Sequence, residues 1–205
     1  MTTEKIPDII IGRLPIYLRA LQRLADAGAL TTSSRELGEL VGISAAQIRK
    51  DISQFGEFGK QGTGYSISFL MDKLRDILKV DRVWEIAIVG MGGIGQALAH
   101  FNGFVDRGFR VGMAFDNDPK KIGRKAADFI VLDAATIEDE ISARGIKIAL
   151  LCVPAASAQE AADQLARAGV KAILNYAPTS ISVPEDVRVQ YIDPVTHLQR
   201  MTYYL

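Results

Sequence analysis

A chain of 205 residues with 48% hydrophobic and 23% charged residues has the composition of a folded protein, which excludes the apolar-poor, charge-rich class of disordered chains. A formal net charge of +0 excludes a uniformly basic nucleic-acid binder, so any cations that face DNA must be gathered on one surface. One cysteine excludes an intramolecular disulfide framework, and with no apolar run of ~18 residues and no apolar stretch in residues 1–7, neither a membrane span nor a secretory leader is expected, which points to the cytoplasm.

Over residues 7–29, Ile11, Leu14, Leu18, Leu21 and Leu24 recur at helical spacing, predicting one amphipathic helix that ends near Gly28. Ser33 stands three residues before Glu36, and Ser44 three before Gln47; each is a capping-box spacing that opens a short helix. The turn Val41-Gly42-Ile43 joins them into a helix-turn-helix. The stretch from Phe55 to Tyr65 is too rich in glycine for a helix and is bracketed by aromatics, as in a β-hairpin or wing. Helical spacing resumes over residues 68–78 through Phe69, Leu70, Leu74 and Ile77, and residues 1–80 carry 11 Lys+Arg against 9 Asp+Glu.

From Trp84 the period changes. Apolar runs at residues 86–89, 111–115, 146–153, 172–174 and 187–192 alternate with polar or helical stretches, the pattern of parallel strands joined by crossovers. The predicted fold is therefore α/β, an N-terminal winged helix-turn-helix over residues 1–80 followed by a Rossmann-type doubly wound parallel sheet over residues 81–193, with residues 194–205 as a C-terminal tail.

The chemistry concentrates where the strand at 86–89 runs into Gly90-Met91-Gly92-Gly93-Ile94-Gly95. In a strand–turn–helix context Gly90 permits the tight turn, Gly92 the approach of a pyrophosphate and Gly95 close helix–strand packing. Asp116, 21 residues after Gly95 at the end of the next strand, can accept hydrogen bonds from ribose hydroxyls and disfavour a 2′-phosphate, which selects NADH or NAD+ unless Lys120 or Lys121 neutralises it. The competing reading is that the glycines only close a βα turn. Asn117 follows in the same strand end, and Val153-Pro154 and Ala177-Pro178 end two further strands on the edge where doubly wound sheets bind ligands; they either wall a nicotinamide or simply terminate strands.

Catalytic groups are scarce. There is no Tyr-x-x-x-Lys; His100 lies on the helix after the glycine turn, His197 lies near the C-terminus, and Cys152 reads as a buried inert thiol, so neither an enzyme nor a metal site is expected. In the N-terminal part, Arg49 and Lys50 on the second capped helix can reach phosphate or base edges, and Lys60 and Gln61 sit at the wing. The alternative is a protein-interaction module whose two cations beside Asp51 form a solvated face.

Thr32-Ser33-Ser34, Gln47-Ile48-Arg49-Lys50-Asp51, Phe55-Gly56-Glu57-Phe58-Gly59 and Gly62-Thr63-Gly64-Tyr65 together resemble the DNA-binding half of the Rex redox-sensing repressors. The glycine turn, Phe115-Asp116-Asn117-Asp118-Pro119, Val153-Pro154 and Ile173-Leu174-Asn175-Tyr176-Ala177-Pro178 resemble that family's cofactor domain in the same order. The resemblance implies a homodimeric transcriptional repressor that binds palindromic operator DNA and releases it when NADH binds. It implies a recognition helix reading DNA through Ser44, Gln47, Arg49 and Lys50, a wing bringing Lys60 and Gln61 to the minor groove, and coupling between domains through Arg19 and Asp193. Two departures stand out: Phe101 occupies a position where the family commonly has a tyrosine, removing a hydroxyl donor, and residues 194–205 are shorter than the family's usual dimerising tail. A small NAD-dependent oxidoreductase and a nucleotide-binding scaffold of the CoA-binding type are the rival readings.

Overall fold

The structure, a computed structural model, describes residues 6–56, 58–60 and 64–205. The chain divides between Arg82 and Val83 into two compact units.

The N-terminal unit begins with α1 (Asp8–Ile11) and α2 (Leu14–Asp26). Where the spacing predicts one helix over 7–29, the structure breaks it at Gly12 and Arg13, because Pro15 in the first turn of α2 has no amide with which to continue the α1 ladder. The Arg13 carbonyl instead starts a new helix by accepting from the amides of Ile16 and Tyr17. Next come β1 (Thr31–Thr32), α3 (Ser34–Val41), α4 (Ala45–Ser53), β2 (Gly59–Lys60), β3 (Gly64–Ser66) and α5 (Ile67–Leu78). The three short strands form an antiparallel sheet in the order β1-β3-β2, a wing behind two capped helices.

Both expected caps form, with a twist. The Ser33 hydroxyl accepts from the Glu36 amide at 3.1 Å and the Ser44 hydroxyl from the Gln47 amide at 3.2 Å. The side chains at the third position are used elsewhere: the Glu36 carboxylate accepts from the Thr32 hydroxyl, and Gln47 donates to Asp51. Leu14, Tyr17, Leu21, Leu37, Ile48, Ile52, Ile67, Leu70 and Leu74 form this unit's core. Phe69 stays outside it, facing Phe58.

The C-terminal unit is built on β4 (Trp84–Val89), β5 (Phe109–Asp116), β6 (Lys125–Ala126), β7 (Phe129–Asp133), β8 (Ile148–Leu151), β9 (Ala172–Asn175) and β10 (Arg188–Tyr191). Their order is β10-β9-β8-β4-β5-β7-β6, parallel throughout except for the β6–β7 pair. The strand β7 was not among the expected apolar runs; a short antiparallel hairpin, rather than a crossover helix, leads into it. With β6 set aside, the order is that of a classical doubly wound dinucleotide fold. The helices α6 (Gly93–Ala99), α7 (Ile137–Arg144) and α8 (Ala155–Arg167) complete the crossovers, and α9 (Pro194–Thr202) ends the chain.

Alternation along the strands produces two layers. Ala87, Val89, Phe115, Ala149 and Leu151 point to one face, where Ile137 and Ile141 of α7 and Ala158, Ala162 and Leu165 of α8 bury them. Ile86, Ile88, Ala114 and Leu150 point to the other, under Leu98 and Ala99 of α6 and Phe104. The strand order reverses at β4, whose parallel neighbours β5 and β8 lie on opposite sides, and a crevice opens beyond the carboxyl ends of the strands there.

Candidate cofactor cleft and DNA-reading surface

A cleft of about 650 Å³ occupies that crevice, within the range of small-molecule sites. The glycine turn forms its floor. Gly90 adopts φ +94°, and a Cβ there would lie 2.6 Å from the Cys152 carbonyl oxygen, so only glycine lets β4 turn this close to β8. A Cβ on Gly95 would lie 1.9 Å from the Gly90 carbonyl oxygen, which holds α6 hard against the turn. Gly92, Gly93 and Ile94 face the cleft.

Of the twelve residues expected to contact a cofactor, nine line the cleft: Gly90, Gly92, Gly93, Ile94, Asp116, Asn117, Val153, Pro154 and Pro178. Three do not. Met91 turns its side chain into the core and gives its amide to Asp116; Gly95 is buried beneath the turn; and Ala177 is buried, its amide donating to the Asn175 side chain. All three shape the wall from behind.

Asp116 is 5% exposed and accepts from the amides of Met91 (2.7 Å) and Asp118 (2.8 Å) and from Lys121 Nζ (2.9 Å). Burial pushes its carboxyl up, but these three donors outweigh burial and hold it below the ordinary carboxylate range. A carboxylate offers about four acceptor sites. One therefore remains for a ribose hydroxyl. Lys121, and not Lys120, is the cation that neutralises it; the Lys120 amide donates to the Asp118 carboxylate.

The opposite wall combines Val153, Pro154, Tyr176 and Pro178. Asn175, fully buried, braces this wall by donating to the Thr179 carbonyl and accepting from the Ala177 amide. Cys152 packs against the core from the edge of the cleft, and burial pushes its thiol up to about 12, so it stays protonated near neutral pH. Ser157, Glu160, Ala161 and Gln164 complete the cleft from α8. Their spacing of three, one and three residues places them on one helix face, a signal present in the sequence but indistinguishable there from a solvated face. His100 caps α6, exposed, and His197 sits exposed on α9; neither lines the cleft.

In the other unit, Ser44, Arg49 and Lys50 are exposed on and before α4, with Arg49 donating to the Ser34 hydroxyl at 2.9 Å. Lys60 lies in β2, and Gln61 falls outside the described residues. Asp51, between exposed Lys50 and buried Ile52, does not share the solvated face of its neighbouring cations. It is fully buried and accepts from Arg13 Nε (2.6 Å) and Nη2 (2.7 Å), the Tyr17 hydroxyl (2.6 Å) and Gln47 Nε2 (2.7 Å). Burial pushes its carboxyl up, and the bonds from Arg13, Tyr17 and Gln47 more than reverse this; the Tyr17 hydroxyl is raised by burial and by Asp51. Gln47, expected to face DNA, thus turns its amide toward the core.

Arg19 is exposed on α2. Phe101, half exposed, stands edge-on to Phe104 with ring centroids 5.1 Å apart. Asp193 caps α9 by accepting from the Val195 amide at 2.9 Å. Among the described residues no helix is long and apolar enough to cross a membrane.

Comparison with known proteins fits both halves. Residues 81–179 match the family model described as a CoA binding domain, and residues 5–53 that of a putative DNA-binding protein N-terminus. The chain is 47% identical over 203 residues to the redox-sensing transcriptional repressor Rex of Chloroflexus aggregans, covering 99% of this chain and 96% of that one. Among solved structures it is similar to RSP in complex with beta-NAD+ and operator DNA (TM-score 0.92, 40% identity, 98% of this chain and 92% of that one). It is also similar to RSP in complex with beta-NADH (TM-score 0.89, 38% identity, 97% and 93%). A relative of this identity along nearly the whole length shows the family: the chain belongs to the Rex redox-sensing transcriptional repressors.

Proposed function

We propose that this protein is a cytoplasmic, homodimeric repressor that holds palindromic operator DNA through its N-terminal unit and releases it when NADH enters the cleft of its C-terminal unit. The observation that carries the reading is the conjunction, in one chain of the Rex family, of a glycine-floored cleft ending at Asp116 with exposed cations on a capped second helix.

Residues 1–80 supply DNA contact, 81–193 the cofactor site and 194–205 the dimerising tail. Ser44, Arg49 and Lys50 reach the major groove and the wing residues Lys60 and Gln61 the minor groove. The turn at Gly90, Gly92 and Gly93 takes the pyrophosphate, and the last acceptor site of Asp116 takes a ribose hydroxyl. Val153, Pro154 and Pro178, beside a neutral Cys152 thiol, pack the nicotinamide. An apolar wall favours the uncharged dihydronicotinamide over the cationic oxidised ring, because burying an unpaired charge is costly. On α9, the exposed Val195, Leu198 and Met201 form a stripe suited to burial against a second subunit. Arg19, Asp193 and the neighbourhood of Phe101 transmit the change between units.

Operator half-sites read by a dimer lie about 34–36 Å apart, so a modest rotation between subunits is enough to abolish binding. NADH need only bind the non-binding arrangement more tightly. The test is anisotropy of a labelled palindromic operator titrated with protein alone, with NAD+ and with NADH, at fixed salt. Release by NADH and not by NAD+ is expected; binding indifferent to both removes the sensor. The match to a CoA-binding model favours one second reading, a CoA-responsive scaffold, and CoA displacing bound NADH at equal concentration would support it.

A further inference from the structure

We infer that Asp51 is a positioning residue for DNA reading: its buried carboxylate, gripped by Arg13, Tyr17 and Gln47, sets the rotation of α4 about its own axis and so aims Arg49 and Lys50. The inference rests on the DNA-binding reading above and adds to it a residue that touches no DNA.

Asp51 is 0% exposed, yet it places a charge beside a core cluster of Leu, Ile, Ala, Met and Tyr side chains. A leucine would fill that space without desolvating an ion, and buried ion pairs are weak contributors to net stability for this reason. What a leucine lacks is direction. The carboxylate receives four hydrogen bonds of 2.6–2.7 Å, two from the Arg13 guanidinium at the start of α2, one from the Tyr17 hydroxyl a turn later and one from Gln47 on α4 itself. Arg13 meets both carboxylate oxygens, a fork geometry that tolerates little rotation.

Gln47 and Asp51 are four residues apart and share the inward face of α4, as their mutual hydrogen bond shows. At 3.6 residues per turn, Arg49 projects roughly 160° away from both. Rolling a helix whose side chains reach about 6 Å from its axis by about 20° moves their tips by roughly 2 Å, enough to lose a bidentate contact to a base edge. Apolar packing by Ile48 and Ile52 resists separation of the helices but resists such a roll only weakly, since side-chain hydrophobic contact is not directional.

The test measures operator affinity and random-sequence DNA affinity side by side, at one salt concentration, for the full chain and for two variants. The first replaces the charged pair by apolar groups of similar size, Arg13→Met with Asp51→Leu. Expected is a folded protein that binds NADH as before, with operator affinity down at least tenfold and random-sequence affinity changed less than twofold. Retention of operator affinity within twofold in the folded double variant overturns the inference, as does an equal loss for both DNAs. Should the double variant not fold, Tyr17→Phe decides: it deletes one bond and keeps the ring in the core. A threefold loss confined to the operator supports positioning, and no loss overturns it. A wild-type protein that fails to prefer operator over random DNA sinks the DNA-binding reading itself, and this inference with it.

Discussion

Two buried aspartates organise the two units, and they are satisfied in opposite ways. Asp116 is held mainly by its own neighbourhood: the Met91 and Asp118 amides belong to the turns that end β4 and β5, and among the described residues only Lys121 contributes a side chain. Among the described residues Asp51 is held only by side chains, two of them from residues 34 and 38 positions away. Backbone donors cannot be mutated away, and they re-form whenever the strand ends do. Side-chain donors can be lost singly, and each loss strands a buried charge. The sensing end of the molecule is thus fastened by its backbone, the reading end by its side chains.

The largest effect should follow from Arg13→Ala, which removes two of the four donors to Asp51 and leaves a fully buried carboxylate underpaired; the N-terminal unit should lose about 3 kcal/mol. The sole tryptophan, Trp84, belongs to the other unit, so helical circular dichroism should report an early transition that Trp84 fluorescence does not follow. Coincident shifts of both signals would remove the contrast between the units. Acid should act on the same network. Asp51 titrates below its unfolded value of about 3.9, so its stabilisation is complete above that value and is lost as pH falls through the lower, folded one. Melting followed from pH 6 to pH 3 should show a steeper acid limb for wild type than for Asp51→Asn, which has no charge to lose.

At the backbone-fastened end the sensitive position is a glycine. Gly95→Ala places a methyl 1.9 Å from the Gly90 carbonyl oxygen, an overlap only backbone movement relieves, and should cost about 2 kcal/mol and at least tenfold in NADH affinity. Titration of NADH by its own fluorescence checks this. Unaltered affinity would mean that the turn can shift without disturbing the cleft.

That asymmetry also decides how much could be read from the sequence. The glycine turn, its strand and Asp116 fall within one short segment, so spacing alone located them, as it did the caps Ser33 and Ser44. The role of Asp51 was not legible, because spacing says nothing of Arg13 and Tyr17, its partners 38 and 34 positions upstream. Met91 and Ala177 sit in the right motifs but turn inward, which no motif encodes. The α8 face was illegible for a related reason, since Ser157, Glu160 and Gln164 at helical spacing look the same whether they meet solvent or a cleft, and nothing in the sequence says that Asn175, ending β9, turns its amide to brace the wall. The hairpin of β6 and β7, reached through turns after Asp116, hid β7 among short polar stretches.

The smallest effect sharpens the comparison most. Lys121→Met deletes the only side-chain donor to Asp116 among the described residues, but the Met91 and Asp118 amides remain, and the Lys121 side chain is 34% exposed. Solvent screens a pair of that kind, so stability should fall by no more than about 1 kcal/mol, against about 3 kcal/mol for the corresponding loss at Asp51. The carboxylate, no longer neutralised, should repel a 2′-phosphate more strongly. Competition between NADH and NADPH should therefore shift further toward NADH while the melting temperature barely moves. A destabilisation as large as that of Arg13→Ala would show that Asp116, too, depends on its side-chain partner, and the backbone would then not be what fastens the cleft.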